Sequence, residues 1–306
     1  MTKPLTFLFD FEFCGSTVHD CGNPQMNLYA LEQLAALGVR HMVLSDTLLL
    51  MFMRQLPMME NFQRDMQRVG LDFVDAHSPF GAGWDLNCAS EARRGVVLAM
   101  HRHAMEIAAF LGVRTITIHT GNNSPGNPEA YALSLEQNVE NICRSLEALL
   151  PDAERLGLVI CIENIWFPCN TAEVLLEIKR RFPTPALGFC YDAGHANLRQ
   201  TRELYLASPD PRLRALAEDP GEPLGEKILR TMLPHVVNCH LHDNDGVADY
   251  HRLPGKGTIR WDRIAALLRT APRLQCLQSE VLPVRTNTLL TDLVPKFREL
   301  FGDWTD

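Results

Sequence analysis

The sequence contains no G-x-G-x-x-G after its first strand-like run, no C-x-x-C pair and no excess of basic residues. Each absence removes a class of protein. Without the glycine fingerprint, an open dinucleotide-binding sheet loses its best support. Nine cysteines are scattered singly, several of them inside apolar runs where Cys behaves as a small hydrophobe, so free reduced thiols are expected. Lys and Arg number 29 against 37 Asp and Glu, a net charge of −8. No global field attracts phosphate backbones, and a nucleic-acid partner is not expected without a local basic patch. The apolar run at the amino terminus, Leu5 to Phe9, is interrupted by Asp10 and Glu12, too soon for a signal-peptide core or a membrane span. These features lead to the expectation of a cytoplasmic protein with no membrane partner. No linker, low-complexity tract or internal repeat divides the chain, and one domain over residues 1–306 is expected.

Hydrophobic residues make up 46% and charged residues 22%, enough apolar material for a large core. Short β-type runs alternate with helical patterns from end to end. The strand candidates are residues 6–13, 39–46, 71–78, 114–120, 158–164, 186–192, 235–243 and 274–281. Several are apolar on both alternations, as strands buried on two faces must be. Helical spacing marks residues 28–38, 135–150 and 261–271 among the intervening stretches. Eight strands in strict alternation with helices close most economically into an α/β (β/α)8 TIM barrel, with a doubly wound open sheet as the alternative. Two segments exceed ordinary connection lengths: 197–225, and the Met-rich 47–62, read either as core filler under a loop or as a lid or dimer contact.

Active sites of such barrels lie at the carboxyl ends of the strands. There the sequence places His77, His119, Glu163, Asp192 with His195, His240, and Glu280, while Asp249 and His251 follow in the loop after the seventh strand. A lone Glu or His at a strand end is usually a satisfied polar group. Convergence of so many on one rim is different, because carboxylates are rarely buried unless paired or bound to a cation. Glu163, Asp192, His240 and Glu280 can form an oxygen-rich site for Mn²⁺, Mg²⁺ or Co²⁺, with Zn²⁺ also suited. His242 is an alternative ligand if its strand continues, and Asp243 points the other way as a brace.

The runs CIEN, YDAGHAN, CHLHD, G-x-G-x-I-x-W and SEV together resemble the xylose-isomerase-like barrel superfamily, over about residues 70–281. The superfamily holds sugar isomerases and epimerases together with type IV apurinic endonucleases. In the epimerase branch the resemblance implies one divalent ion at Glu163, Asp192, His240 and Glu280, with Glu163 and Glu280 as acid and base beside an open-chain ketose. It implies a carbohydrate substrate, whether a free sugar, a sugar phosphate or a sugar acid, with His195 contacting a substrate oxygen. The endonuclease branch implies three zinc ions on nine ligands, and candidates stand at every position: His77, His119, Glu163, Asp192, His195, His240, Asp249, His251 and Glu280. The acidic charge and the lack of basic loops disfavour that phosphodiesterase reading. A non-catalytic sugar-binding protein is the remaining alternative, disfavoured by retention of both glutamates. Oligomeric state stays open, dimers or tetramers being common among relatives.

Other candidates are weaker. Arg252 could bind a hydroxyl, carboxylate or phosphate at the far end of a substrate. Trp84 and Trp166, with Phe167, could stack on a sugar edge, although packing explains them as well. The turn Pro254 to Gly257 reads PGKG where sugar-active relatives usually carry PGEG, so Lys256 is either a solvated side chain or a local positive charge that favours a phosphorylated or acidic substrate. His101 and His103 are expected on a helix surface, and His19, His41 and His235 in structural roles.

Overall fold

A computed structural model of the chain describes residues 2–8 and 24–305. Eight parallel strands close in sequence order: β1 (Leu5–Leu8), β2 (His41–Leu44), β3 (Asp72–His77), β4 (Thr115–Ile118), β5 (Val159–Glu163), β6 (Leu187–Asp192), β7 (Val236–Leu241) and β8 (Leu277–Ser279). Each falls on its predicted run, and the ring closes when β1 pairs β8 through Phe7 and Ser279. The part of the first predicted strand beyond Leu8, with His19, lies outside the described residues. β4, β6 and β7 are buried at every position, which explains their lack of polar alternation. Among the described residues no helix is long and apolar enough to cross a membrane.

Helices cover the barrel with one apolar stripe each. Helix Leu135–Leu156 opens on a capping box, Ser134 with Gln137, and buries Val139, Ile142, Leu146 and Leu149. The two long segments are not loops. Residues 47–62 belong to helices Asp46–Arg54 and Leu56–Val69, where Phe52 and Phe62 meet edge to face at 5.6 Å and Met59 and Met66 are buried. Their Met content is core filling, and a helix pair broken at Gln55 stands where one long connection was expected. Residues 197–225 likewise hold helices Arg199–Ala207 and Pro211–Glu218.

A second correction concerns His101. It is buried, 1% exposed, on helix Glu91–Phe110 between Val97 and Ala104. Its ring nitrogens lie 3.0 Å from Ser78 Oγ and 2.8 Å from the Trp84 carbonyl. Burial pulls its pKa from 6.5 down to about 4, with the Trp84 bond opposing. Below its unfolded pKa the unfolded chain takes up a proton that the native ring refuses, so stability falls as pH drops from 6.5 towards 4. The expected loss from this group is about 2 kcal/mol on going from pH 7.5 to about pH 5. Urea unfolding of wild type and His101→Gln at both pH values checks this, and equal pH dependence in the two proteins would refute it.

Candidate metal centre at the carboxyl-terminal rim

The parallel register decides which strand-end side chains become neighbours. Asp192 on β6 pairs with His240 on β7, and Glu163 ends β5 beside Cys190, two residues before Asp192. His240 Nδ1 consequently faces three carboxylates: Glu163 Oε1 at 3.2 Å, Glu280 Oε1 at 3.3 Å and Asp192 Oδ2 at 3.7 Å. One ring N–H can serve only one of them. Glu163, Asp192 and His240 are at most 1% exposed, so solvent does not separate the charges. Such a cluster fits a cation at its centre.

Glu163 works on two sides. Its Oε1 lies 3.2 Å from both His195 Nδ1 and His240 Nδ1. Its Oε2 faces His119 Nε2 at 2.9 Å and His77 Nε2 at 3.8 Å, yet neither contact has hydrogen-bond geometry and the atom is buried without a partner. Across the rim, Asp249 Oδ2 lies 2.9 Å from His251 Nε2 and 3.6 Å from His195 Nε2. His251 stacks on His242, with centroids 3.9 Å apart. His242 Nδ1 and Asp249 Oδ1 are also buried without a hydrogen bond. Carboxylate and imidazole atoms left unpaired in this way have the chemistry of metal ligands, and the donor set fits a divalent metal. Among the described residues, candidate ligand atoms lie within 4.8 Å of one another in four triads, including Asp192–His240–Glu280, His77–Glu163–His240 and Asp192–His195–His242.

The two glutamates differ electrostatically. Burial pushes the Glu280 carboxyl well above the ordinary range, and the charges of Asp192 and Glu163 push it further. At Glu163 burial also acts upward, but His240 and the imidazoles of His119 and His195 prevail and hold it well below. A cavity of about 540 Å³ opens onto both, lined also by His77, His119, Trp166, His195, Asp249 and His251. Asp192, His240 and His242 lie beneath its floor, fully buried.

Every strand-end ligand candidate is therefore brought into one region, while two substrate-binding candidates are not. Trp84 packs its indole on His101 at 5.6 Å and does not line the cavity, so it anchors a loop. Arg252 pairs with Asp245 at 3.1 Å, lies 4.1 Å over the Tyr250 ring, and lines a neighbouring cavity. Both sit beyond strand ends, where sequence does not fix side-chain direction. Trp166 does line the cavity, its ring 4.8 Å from that of His195. Phe80, its ring 4.6 Å from that of His119, and Arg285 also line the cavity, and neither stood out in the sequence. His242, held 3.2 Å from Asp192 Oδ2, belongs to the cluster more fully than its alternative status implied. Gly194 makes room for it, since a Cβ there would overlap the His242 ring. Asp243 is the brace expected, accepting from the backbone N–H of Asn244, Gly255 and Ile259 and from Trp261 Nε1.

The fold and this rim define a (β/α)8 barrel carrying a carboxylate–imidazole cavity at its carboxyl-terminal face. The profile of the xylose isomerase-like TIM barrel family matches residues 31–273, and the chain belongs to that family. An uncharacterized protein of Methanocaldococcus jannaschii is 29% identical over 202 residues, 64% of this chain and 60% of that protein. Such matches span 48% to 66% of the length of the curated relatives, about half to two thirds. Among solved structures, a D-tagatose 3-epimerase-like protein superposes with TM-score 0.65 at 19% identity, covering 87% of this chain and 88% of that one. A Thermus thermophilus protein soaked with ZnCl2 gives TM-score 0.62 at 23% identity over 99% of each chain. These likenesses establish the shared barrel.

Proposed function

We propose that the protein is a divalent-metal-dependent isomerase or epimerase that moves a proton next to the carbonyl of a sugar or sugar derivative. The observation that carries this reading is that Glu163 and Glu280 both approach His240 Nδ1, at 3.2 and 3.3 Å, and both line the same cavity. Glu163, Asp192, His240 and Glu280 would hold the ion, Mn²⁺, Mg²⁺, Co²⁺ or Zn²⁺ by their chemistry. A metal there supplies Lewis-acid polarisation of a carbonyl. The side chains do the rest. One glutamate takes the proton from the carbon beside the carbonyl and the other returns one, both from within hydrogen-bonding reach of a bound substrate. His195, fixed by its backbone N–H to Asp192 Oδ1 at 2.6 Å, orients a substrate oxygen. Trp166 and Phe80 shield the cavity from water.

Below the floor, a hydrogen-bonded chain runs from His240 to Asp75. Thr117 Oγ1 lies 3.4 Å from His240 Nε2, Asn238 Nδ2 donates to Thr117 Oγ1 at 3.0 Å, and the same amide donates to both Asp75 oxygens at 3.1 Å. This chain orients the imidazole that the three carboxylates share. Asp75→Asn is expected to weaken metal binding by about 10- to 100-fold. Competition with a chelating dye measures it, and unchanged affinity would show that the chain is only packing.

Solvent-deuterium incorporation into a panel of ketoses and their phosphates, after metal loading, tests the main reading. Failure of all of them to exchange, with cleavage of an abasic-site duplex, would overturn it. That outcome is the second reading, a phosphodiesterase with a multinuclear zinc centre. The observation favouring it is that Glu163 is shared between the His77–His119 pair and the His240 group, with Asp249 and His251 forming a third group. Metal analysis separates the two readings: three zinc ions per chain favour the second, one manganese or cobalt ion the first.

A further inference from the structure

Beside the main cavity lies a second, of about 530 Å³, between the loop after β7 and helix Pro283–Thr286. Arg252 and Lys256 line it from the loop, and Arg285, Thr286 and Thr288 from the other side. Arg285 lines both cavities, so they adjoin at this side chain. Among the described residues Asp292 is the only carboxylate of this lining, against three cations. In a chain of net charge −8, three cations are gathered on one lining. Arg252 is held in place, its guanidinium over Tyr250 and paired with Asp245 outside the lining. Lys256 is exposed and makes no ion pair or side-chain hydrogen bond among the described residues.

Among the described residues only His251 (φ 51°) and Asn287 (φ 52°) hold the left-handed conformation without being glycine. One lines the main cavity and the other the basic one. At Asn287 this is the left-handed cap that closes helix Pro283–Thr286, a position that Asn takes readily. Here it sets the paired hydroxyls of Thr286 and Thr288, 2.8 Å apart, on either side of Asn287.

From this arrangement we propose that the basic cavity binds the phosphate monoester of a phosphorylated open-chain substrate whose carbonyl end lies in the main cavity. The proposal rests on the isomerase or epimerase reading and adds the substrate class. Two guanidinium groups and an ammonium match a phosphate dianion better than a single carboxylate, because its oxygens accept several charge-assisted hydrogen bonds at once.

Calorimetric titration of the metal-loaded protein with inorganic phosphate, at fixed ionic strength, tests the site directly. Lys256→Glu lies on an exposed turn tip and is expected to weaken phosphate binding about tenfold or more. Equal binding by wild type and variant would overturn the proposal, since phosphate would then be sitting on the metal alone. In the turnover arm, ribulose phosphate is expected to exchange deuterium with kcat/KM at least about tenfold above ribulose, the advantage lying in KM and vanishing in the variant. Preference for the free ketose, or for a keto sugar acid, would overturn it. The two readings fail separately. Lys256-dependent phosphate binding without exchange into any ketose keeps the anion site and removes the proton-transfer reading. Exchange into free ketoses with no Lys256-dependent binding does the reverse.

Discussion

Glu280→Gln is expected to slow deuterium exchange by about 10²- to 10⁴-fold while metal stays bound. Gln preserves the shape of the side chain and one oxygen that can ligate. The Gln278 amide, which donates to Glu280 Oε1 at 3.3 Å, retains an acceptor. What disappears is the ability to accept or return a proton. Glu163→Gln should behave differently, because that carboxylate faces four imidazoles, those of His77, His119, His195 and His240. Removing its charge weakens the metal site as well, and activity and metal content fall together. Exchange rates measured alongside metal content decide the point. Full activity in a metal-loaded Glu280→Gln protein would remove Glu280 from the chemistry.

Stripping the metal is expected to cost stability. Without a cation, the carboxylates of Glu163, Asp192 and Glu280 gather about one imidazole nitrogen with little water to screen them. A cation that binds only the folded chain, present at about 100 to 1,000 times its Kd, contributes about 3 to 4 kcal/mol. For a chain of this size that is a fall in Tm of about 5 °C on chelation. Differential scanning calorimetry before chelation, after it, and after adding back Mn²⁺ or Zn²⁺ checks both the fall and its reversal. An unchanged Tm would mean that the cluster is neutralised by its own protons and holds no ion.

The barrel was legible because buried strands and amphipathic helices obey different periods, and eight alternations leave few ways to close a sheet. The strand-end set was legible for a related reason. A side chain at a strand terminus has its direction fixed by the pleat, so Glu163, Asp192, His240 and Glu280 could be aimed from sequence alone. Arg252 and Trp84 could not. They sit in loops, where an ion pair with Asp245 or a packing contact with His101 decides where the side chain goes. His101 did carry a signal that was overlooked. It stands four residues after Val97 and three before Ala104, on the buried stripe of its helix. The two-residue spacing from His103 rules out a shared face but does not place His101 at the surface, and a buried imidazole with two hydrogen-bond partners is ordinary core. Arg285 and the helical nature of residues 47–62 were harder, since the first depends on the position of a short helix and the second on where one helix stops at Gln55.

The PGKG turn also bears on how such a protein changes over evolutionary time. Gly255 is held at φ 88°, and a side chain at Gly257 would strike the Asn244 carbonyl. Pro254 is buried. Three of the four positions are thus pinned around the Asp243 brace, leaving residue 256 as the one letter free to vary. A single nucleotide change separates lysine from glutamate codons, so a lineage can reverse the charge at the cavity mouth in one step. The carboxylate–imidazole cluster on the barrel floor need not move, so under the proposed function substrate preference can drift while the chemistry is inherited intact.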